Sequence, residues 1–192
     1  MDYEELRAFP VHGARPIDLL ERLRQAPGIR LVAVREKPDV YRLLAKHGEA
    51  RLERALASFR YTVTGEDPLG YAVDPVSAPL LDGAYHDKDA WFEASAAGAY
   101  PDALFQIAQL FDARRCGDVV LSSSLGSDLL DQGHIGTHGG LERAEMTVPC
   151  VLAGPGVRHG VIPRARTIDV QPTFLKFLGF PHFEGEVMNV FL

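Results

Sequence analysis

Cysteine is scarce in this chain. The 192 residues hold two, Cys116 and Cys150, and they form no CxxC pair. That excludes a disulfide framework and a cysteine-built zinc site as organising principles. Cys150 lies inside an apolar run and reads as a buried free thiol. Long hydrophobic runs are missing too: no uninterrupted apolar stretch approaches the roughly 18 residues a membrane helix needs. The opening MDYEELRAF is acidic and has no apolar centre, so no secretory signal is expected. Clustered positive charge is also absent. Lys and Arg number 20 against 26 Asp and Glu, for a net charge of −6. Basic residues come close together only at Arg22/Arg24, Arg114/Arg115 and Arg164/Arg166, too sparsely for phosphate-backbone binding. The expectation is a soluble, cytoplasmic protein with no nucleic-acid and no membrane partner. There are no internal repeats and no low-complexity segment.

What is present is apolar mass. At 46% hydrophobic and 24% charged residues, the composition is that of a globular chain, read as one α/β domain over residues 1–192. Pro16 to Ala26 reads as a helix with Pro16 in the first helical position and a stop at Pro27-Gly28. Ile29 to Glu36 reads as a strand buried on both faces. From Asp39 to Gly65 the pattern is mixed. YRLLA and FRYTVTG look extended, ARLERALASF fits a short helix or an irregular ribbon, and Gly48 suggests a hairpin-like turn. The following segment carries Pro68, Pro75 and Pro79 and reads as loop, so residues 39–90 form a small irregular excursion. DKDAW reads as the start of a helix. Pro101 to Phe111 is the strongest helix, with Leu104, Ile107, Ala108 and Phe111 on one face. Asp118 to Ser124 and Met146 to Val157 read as strands. Thr167 to Phe180 reads as a helix capped by Asp169 and closed by Gly179. This alternation of helix and strand predicts a mainly parallel sheet with flanking helices.

In such sheets ligands collect beyond the carboxyl ends of strands. The loop after Asp118–Ser124 carries Asp128, Asp131, His134 and His138 among glycines. Carboxylates and imidazoles together suit Zn, Mn or Fe; the plain alternative is a glycine-rich surface loop with solvated histidines. Ser122 to Ser124 read as a polar strand terminus. Trp91, Phe92 and Tyr100 read as packing aromatics, His159 as a solvent-facing turn residue, and His12, His47 and His182 as surface or core histidines.

The blocks GDVVLSSSLGSD, GTHGGLERAEMTVPCVLAGPGV and RTIDVQPTFLKFLGF, in that order, resemble the C-terminal part of the alkaline phosphatase superfamily, in its phosphodiesterase and nucleotide pyrophosphatase branch. YTVTGEDPLGY and YPDALFQIAQLF add to the likeness, which covers the latter two-thirds of the chain. The resemblance implies an alkaline phosphatase-like sheet and a two-metal site for phosphate esters, in which paired cations clamp the attacking and leaving oxygens. It implies His138 as a ligand of one metal, with Asp82 and His86 matching an Asp-xxx-His pair that completes the set. It places the Asp-His pair of the second metal at Ser124 and Leu125, where leucine cannot coordinate. No counterpart of the family's N-terminal nucleophile is visible.

The resemblance therefore implies a divergent or partial metal-dependent phosphoric ester hydrolase, inactive alone, with one divalent metal (Zn or Mn) or none. The ligands it implies are His138, Asp82 and His86; the loop itself offers His134 and Asp128 as further candidates. The alternative is a non-catalytic ligand- or partner-binding protein on the same scaffold. The missing strands would leave a sheet edge open, so a homodimer or a missing N-terminal partner segment is expected.

Overall fold

A computed structural model describes residues 1–127, 139–181 and 185–190. The chain divides into two compact units, Met1–Val148 and Pro149–Leu192.

The first unit is built on a six-stranded sheet: β1 (Ile29–Lys37), β2 (Val40–Ala45), β3 (Gly48–Ala55), β4 (Ser58–Gly65), β5 (His86–Asp87) and β6 (Val119–Ser123), in the order β5-β4-β3-β2-β1-β6. Every pairing is antiparallel. The mainly parallel sheet expected from the sequence is therefore wrong. The reason lies in the connections. Lys37 pairs with Val40, Ala45 with Gly48 and Ala55 with Ser58, so three successive links have two residues each. A parallel crossover needs a dozen or more. Pro38 fixes φ for the first turn, and Asp39 accepts the left-handed conformation at φ 60° that follows it. At the third turn Leu56 does the same at φ 55° and is wholly exposed. ARLERALASF is thus neither helix nor irregular ribbon: it is β3, a turn and the start of β4. The excursion at residues 39–90 contains the middle of the sheet.

Strict alternation sorts the side chains. Leu31, Ala33, Tyr41, Leu43, Ala50, Leu52, Phe59 and Tyr61 face one way. There they meet α3 (Lys88–Ser95) and α4 (Ala103–Asp112) through Trp91, Leu104, Ile107, Ala108 and Phe111. Burial of each large apolar side chain contributes roughly 1.5–3 kcal/mol. The opposite face is divided. Val32, Val34 and Leu44 are covered by Leu6 of α1 (Tyr3–Arg7) and Leu20 of α2 (Leu19–Gln25). Asp2 and Asp18 cap these two helices, so α2 starts at Leu19 and Pro16 lies ahead of it. Further along the same face, Arg42 bonds Glu36 and Glu49, Arg51 bonds Glu36 and Glu53, and Arg60 bonds Glu53. This lattice lays charge over β2 to β4, and at its edge the Arg42 guanidinium covers the ring of Tyr3 in α1 at 5.7 Å.

Polar clamps fix the layers. Arg54 grips both carboxylate oxygens of Asp112 at 2.7 Å and reaches Asp39 at 2.8 Å, tying the end of β3 to the end of α4. Trp91 donates its indole N–H to the Phe59 carbonyl at 3.0 Å, which locks α3 onto β4. Residues 139–146, ending in α5 (Arg143–Met146), are tied down where Leu141 N donates to Ser122 Oγ and Arg143 N to the Ala99 carbonyl.

The second unit centres on a 3₁₀ turn at Thr167–Asp169 running into α6 (Val170–Phe177). Asp169 stands at the expected N-cap position of α6, but its side chain makes no capping bond to that helix. Its carboxylate accepts from the Arg166 and Glu186 backbone N–H groups at 2.8 and 2.9 Å, stapling the helix start to the C-terminal segment. Gly179, at φ 78°, closes α6 with Phe180 N donating to the Leu175 carbonyl. Met146–Val157 is not a strand; α5 ends at Met146 and the rest is irregular. Cys150 is exposed, not buried. No helix among the described residues is long and apolar enough to cross a membrane.

Gly48 tests the hairpin geometry. A Cβ there would lie 1.9 Å from the Glu66 carbonyl oxygen and 2.4 Å from its nitrogen. Backbone must move to admit it, so Gly48→Ala is expected to cost about 1–3 kcal/mol. Urea unfolding followed by Trp91 fluorescence measures this; an unchanged midpoint would contradict the described approach of residues 48 and 66.

Candidate functional site

The short edge strand β5 brings together the one sequence-expected pair that lies within the described residues. Asp82 precedes Gly83, whose φ of 86° turns the chain back on itself, and Ala84 N donates to Asp82 Oδ1 at 2.9 Å. That tight turn allows residues four apart to meet outside a helix. His86 Nε2 lies 2.8 Å from Asp82 Oδ1. An ionised carboxylate only accepts hydrogen bonds, so the imidazole Nε2–H donates.

The pair is supported from behind. His86 pairs with Phe59 across β4 and β5 and sets its ring edge-on to Trp91 at 6.3 Å. Trp91 stacks on Tyr71 at 5.8 Å and meets Tyr61 edge-on. Tyr61 in turn donates to Asp67 Oδ1 at 2.6 Å, whose carboxylate also accepts from the Leu69 and Ala72 amides. A buried, hydrogen-bonded aromatic block therefore carries the imidazole, while the Asp82 side chain stays about half exposed. His86, followed by the Ala84 amide, holds the Asp82 carboxyl below the usual carboxylate range.

Beside the pair, the Arg60 guanidinium covers the Tyr85 ring at 4.7 Å, and Tyr85 OH approaches Glu53 Oε2 at 3.4 Å. Burial raises the Glu53 carboxyl, but the Arg60 hydrogen bond and the charges of Arg51 and Arg60 outweigh it and leave it below its ordinary value. Sequence reasoning did not find this neighbourhood. The signal was present in the alternation of GEARLERA and SFRYTVTG, whose polar positions put Glu53 opposite Arg60.

His138, His134, Asp128 and Asp131 lie outside the described residues. Of the positions that precede them in sequence, Ser122 is buried with its hydroxyl accepting from Leu141 N. Ser124 N donates to the Gly28 carbonyl, and Leu125 is 58% exposed. The sheet sets β5 and β6 on opposite edges, five inter-strand spacings apart, or roughly 24 Å. Leu141 is held on β6 by Ser122 and Arg143 is anchored at Ala97 and Ala99, past the C-terminal end of α3, whereas His86 precedes the N-terminal end of that helix. The described backbone thus brings Asp82 and His86 to one another and places the β6 strand end elsewhere. Among the described residues no group of three or more His, Cys, Asp or Glu side chains converges.

The donor set can be tested against a divalent ion. One carboxylate and one imidazole suit zinc or manganese. Two such ligands on a tetrahedral zinc with bonds near 2.0–2.1 Å sit roughly 3.3 Å apart. The 2.8 Å separation needs to open only slightly, and the Nε2 proton must leave. Two donors fit as part of a site; a closed structural site needs two more.

Because the folded Asp82 pKa is depressed, the pair's contribution is complete above the unfolded carboxyl value and disappears as pH falls through the folded one. A carbon-detected NMR titration is expected to give Asp82 a midpoint below an ordinary aspartate, returning upward in His86→Ala. An Asp82 midpoint unmoved by that substitution would show that His86 is not its partner in solution.

Compared with models of known protein families, with curated proteins and with solved structures, the chain finds no match.

Proposed function

We propose that the chain is a divergent or partial member of the metal-dependent phosphatase and phosphodiesterase superfamily that does not turn over phosphate esters by itself. The observation that carries this reading is the convergence of Asp82 and His86 at 2.8 Å on a strand edge. The resemblance assigns these two residues to one metal, and a tight turn is needed to bring them together. In this reading they supply part of a zinc or manganese site, with His138 the further ligand, and a phosphate ester is the bound molecule. A bound cation would draw an anionic ester oxygen to this edge. The reading puts the protein in the cytoplasm, in keeping with its two free thiols.

Loss of activity follows from Leu125. It stands where the resemblance requires the imidazole of the second metal's pair, and a two-metal displacement lacks half its clamp without it. The same observation favours the second reading, a non-catalytic protein that binds a ligand or partner through this scaffold.

Metal analysis separates them. After equilibration with zinc or manganese and desalting, the purified chain is expected to retain one ion or fewer. His86→Ala and His138→Ala should each weaken uptake on the order of tenfold or more, as expected for loss of a direct ligand. Hydrolysis of p-nitrophenyl phosphate esters should stay at the blank rate. Uptake unaffected by His86→Ala would sink the metal assignment and leave the binding-protein reading. Hydrolysis lost with His86→Ala would overturn the claim of inactivity.

A further inference from the structure

We propose that Arg30 and Tyr100 form a receptor for one oxyanion group of a small ligand, a phosphate or a carboxylate. Both residues belong to the first unit, and the proposal does not rest on the metal assignment.

The backbone singles out Arg30. Ile29 faces Ser123 and Leu31 faces Ser122, so Arg30 is an extra residue with no opposite number on β6. A bulge of this kind re-aims a side chain. Strict alternation would put residue 30 on the face of Val32 and Val34, which α1 and α2 cover. The guanidinium instead reaches Tyr100, a member of the core on the α3 and α4 face, and its Nε donates to the Tyr100 hydroxyl at 2.7 Å.

That contact leaves a charge without a counterion. Arg24, Arg42, Arg51, Arg54 and Arg60, the other half-buried arginines of the first unit, each pair with a carboxylate. Among the described residues the one partner of Arg30 is Tyr100. Nε serves that bond, so the fork of Nη1 and Nη2 has no acceptor among them. Tyr100 has the matching deficiency. Its oxygen accepts from Arg30, while its own O–H has no acceptor among the described residues. The residue is 4% exposed. Burial raises its phenol above the ordinary value against the opposing pull of Arg30, so it is a protonated donor at neutral pH. The charge of Glu142 is felt at Tyr100, yet no ion pair joins Glu142 to Arg30. The segment carrying Glu142 is held by Leu141 N on Ser122 Oγ and by Arg143 N on the Ala99 carbonyl.

A guanidinium fork and a buried phenol O–H, bonded to one another and both short of an acceptor, are complementary to an oxyanion. One oxygen can accept from the Tyr100 O–H while another meets the Arg30 fork.

The test uses the full chain, stripped of metal on a chelating resin, so its outcome is separate from that of metal uptake. Inorganic phosphate and acetate are titrated in turn at constant ionic strength while NMR follows the Arg30 Nε–H signal. A saturable shift with a Kd on the order of millimolar is expected for at least one of them. Tighter phosphate points to a phosphate ester as the ligand, and tighter acetate to a carboxylate. Tyr100→Phe keeps the packed ring and should weaken binding on the order of tenfold. Arg30→Lys keeps the charge but loses the fork and should weaken it as well, read at the Leu31 amide. Arg15→Gln removes an exposed arginine outside the site and should change nothing. A shift that saturates with neither anion would overturn the proposal. So would binding unchanged by Tyr100→Phe in a chain whose circular dichroism is that of the wild type.

Discussion

The period-two alternation of β1 through β4 is the constraint on which the rest of the molecule depends. It sends Tyr41, Leu52, Phe59 and Tyr61 into a core completed by aromatic and aliphatic groups from α3, α4 and the connecting residues Leu69, Tyr71 and Tyr100. It sends Arg42, Arg51 and Arg60 to the other face, where glutamates from the same strands neutralise them. A slip of one residue would exchange the two sets and bury the charges. Two-residue turns make such a slip difficult, because each turn fixes the register of the pair it joins. Arg54 adds a side-chain check by joining Asp39 at one turn to Asp112 on α4.

The candidate site is a by-product of that order. Trp91 is held by the Phe59 carbonyl, and Phe59 is the residue that β5 pairs with through His86. The imidazole is therefore fixed by both sheet and core, while its carboxylate partner hangs on a glycine turn open to solvent. Such a rigid base beside an accessible acid suits capture of an ion from solution better than chemistry in a closed pocket. The same sheet order keeps this edge well away from β6, so a site using both would need residues beyond the antiparallel frame.

Much of the local structure was legible in the sequence. The helix before Phe111, the strands at Ile29 and Asp118 and the Gly179 stop follow from spacing and end signals that act within a few residues. Strand direction was not legible from the helix–strand alternation, because that argument assumed long crossovers. The decisive facts were short ones, the turns at Pro38-Asp39, Lys46-His47 and Leu56-Ala57. ARLERALASF misled because Leu52 and Leu56 share helical spacing, although Leu56 sits exposed at a turn. The N-cap position of Asp169 was legible but its side-chain bond was not, because an acidic residue before a helix fits both a capping bond and, as here, a staple to a distant backbone amide. The Asp82–His86 pair was legible as a spacing alone; its contact depends on the backbone at Gly83. Met146–Val157 carries the composition of a buried strand, and composition does not reveal whether a sheet edge is within reach.

One antiparallel sheet organises residues 29–123. Cross-strand Hα–Hα contacts in a nuclear Overhauser spectrum test it most directly. Val32 faces Leu44 on one side and Leu121 on the other, and Arg51 faces Thr62. Hα–Hα contacts are expected in the antiparallel register along β1–β2, β3–β4 and, above all, β1–β6. A β1–β6 pattern of the parallel type, with neighbours running in the same direction, would contradict it.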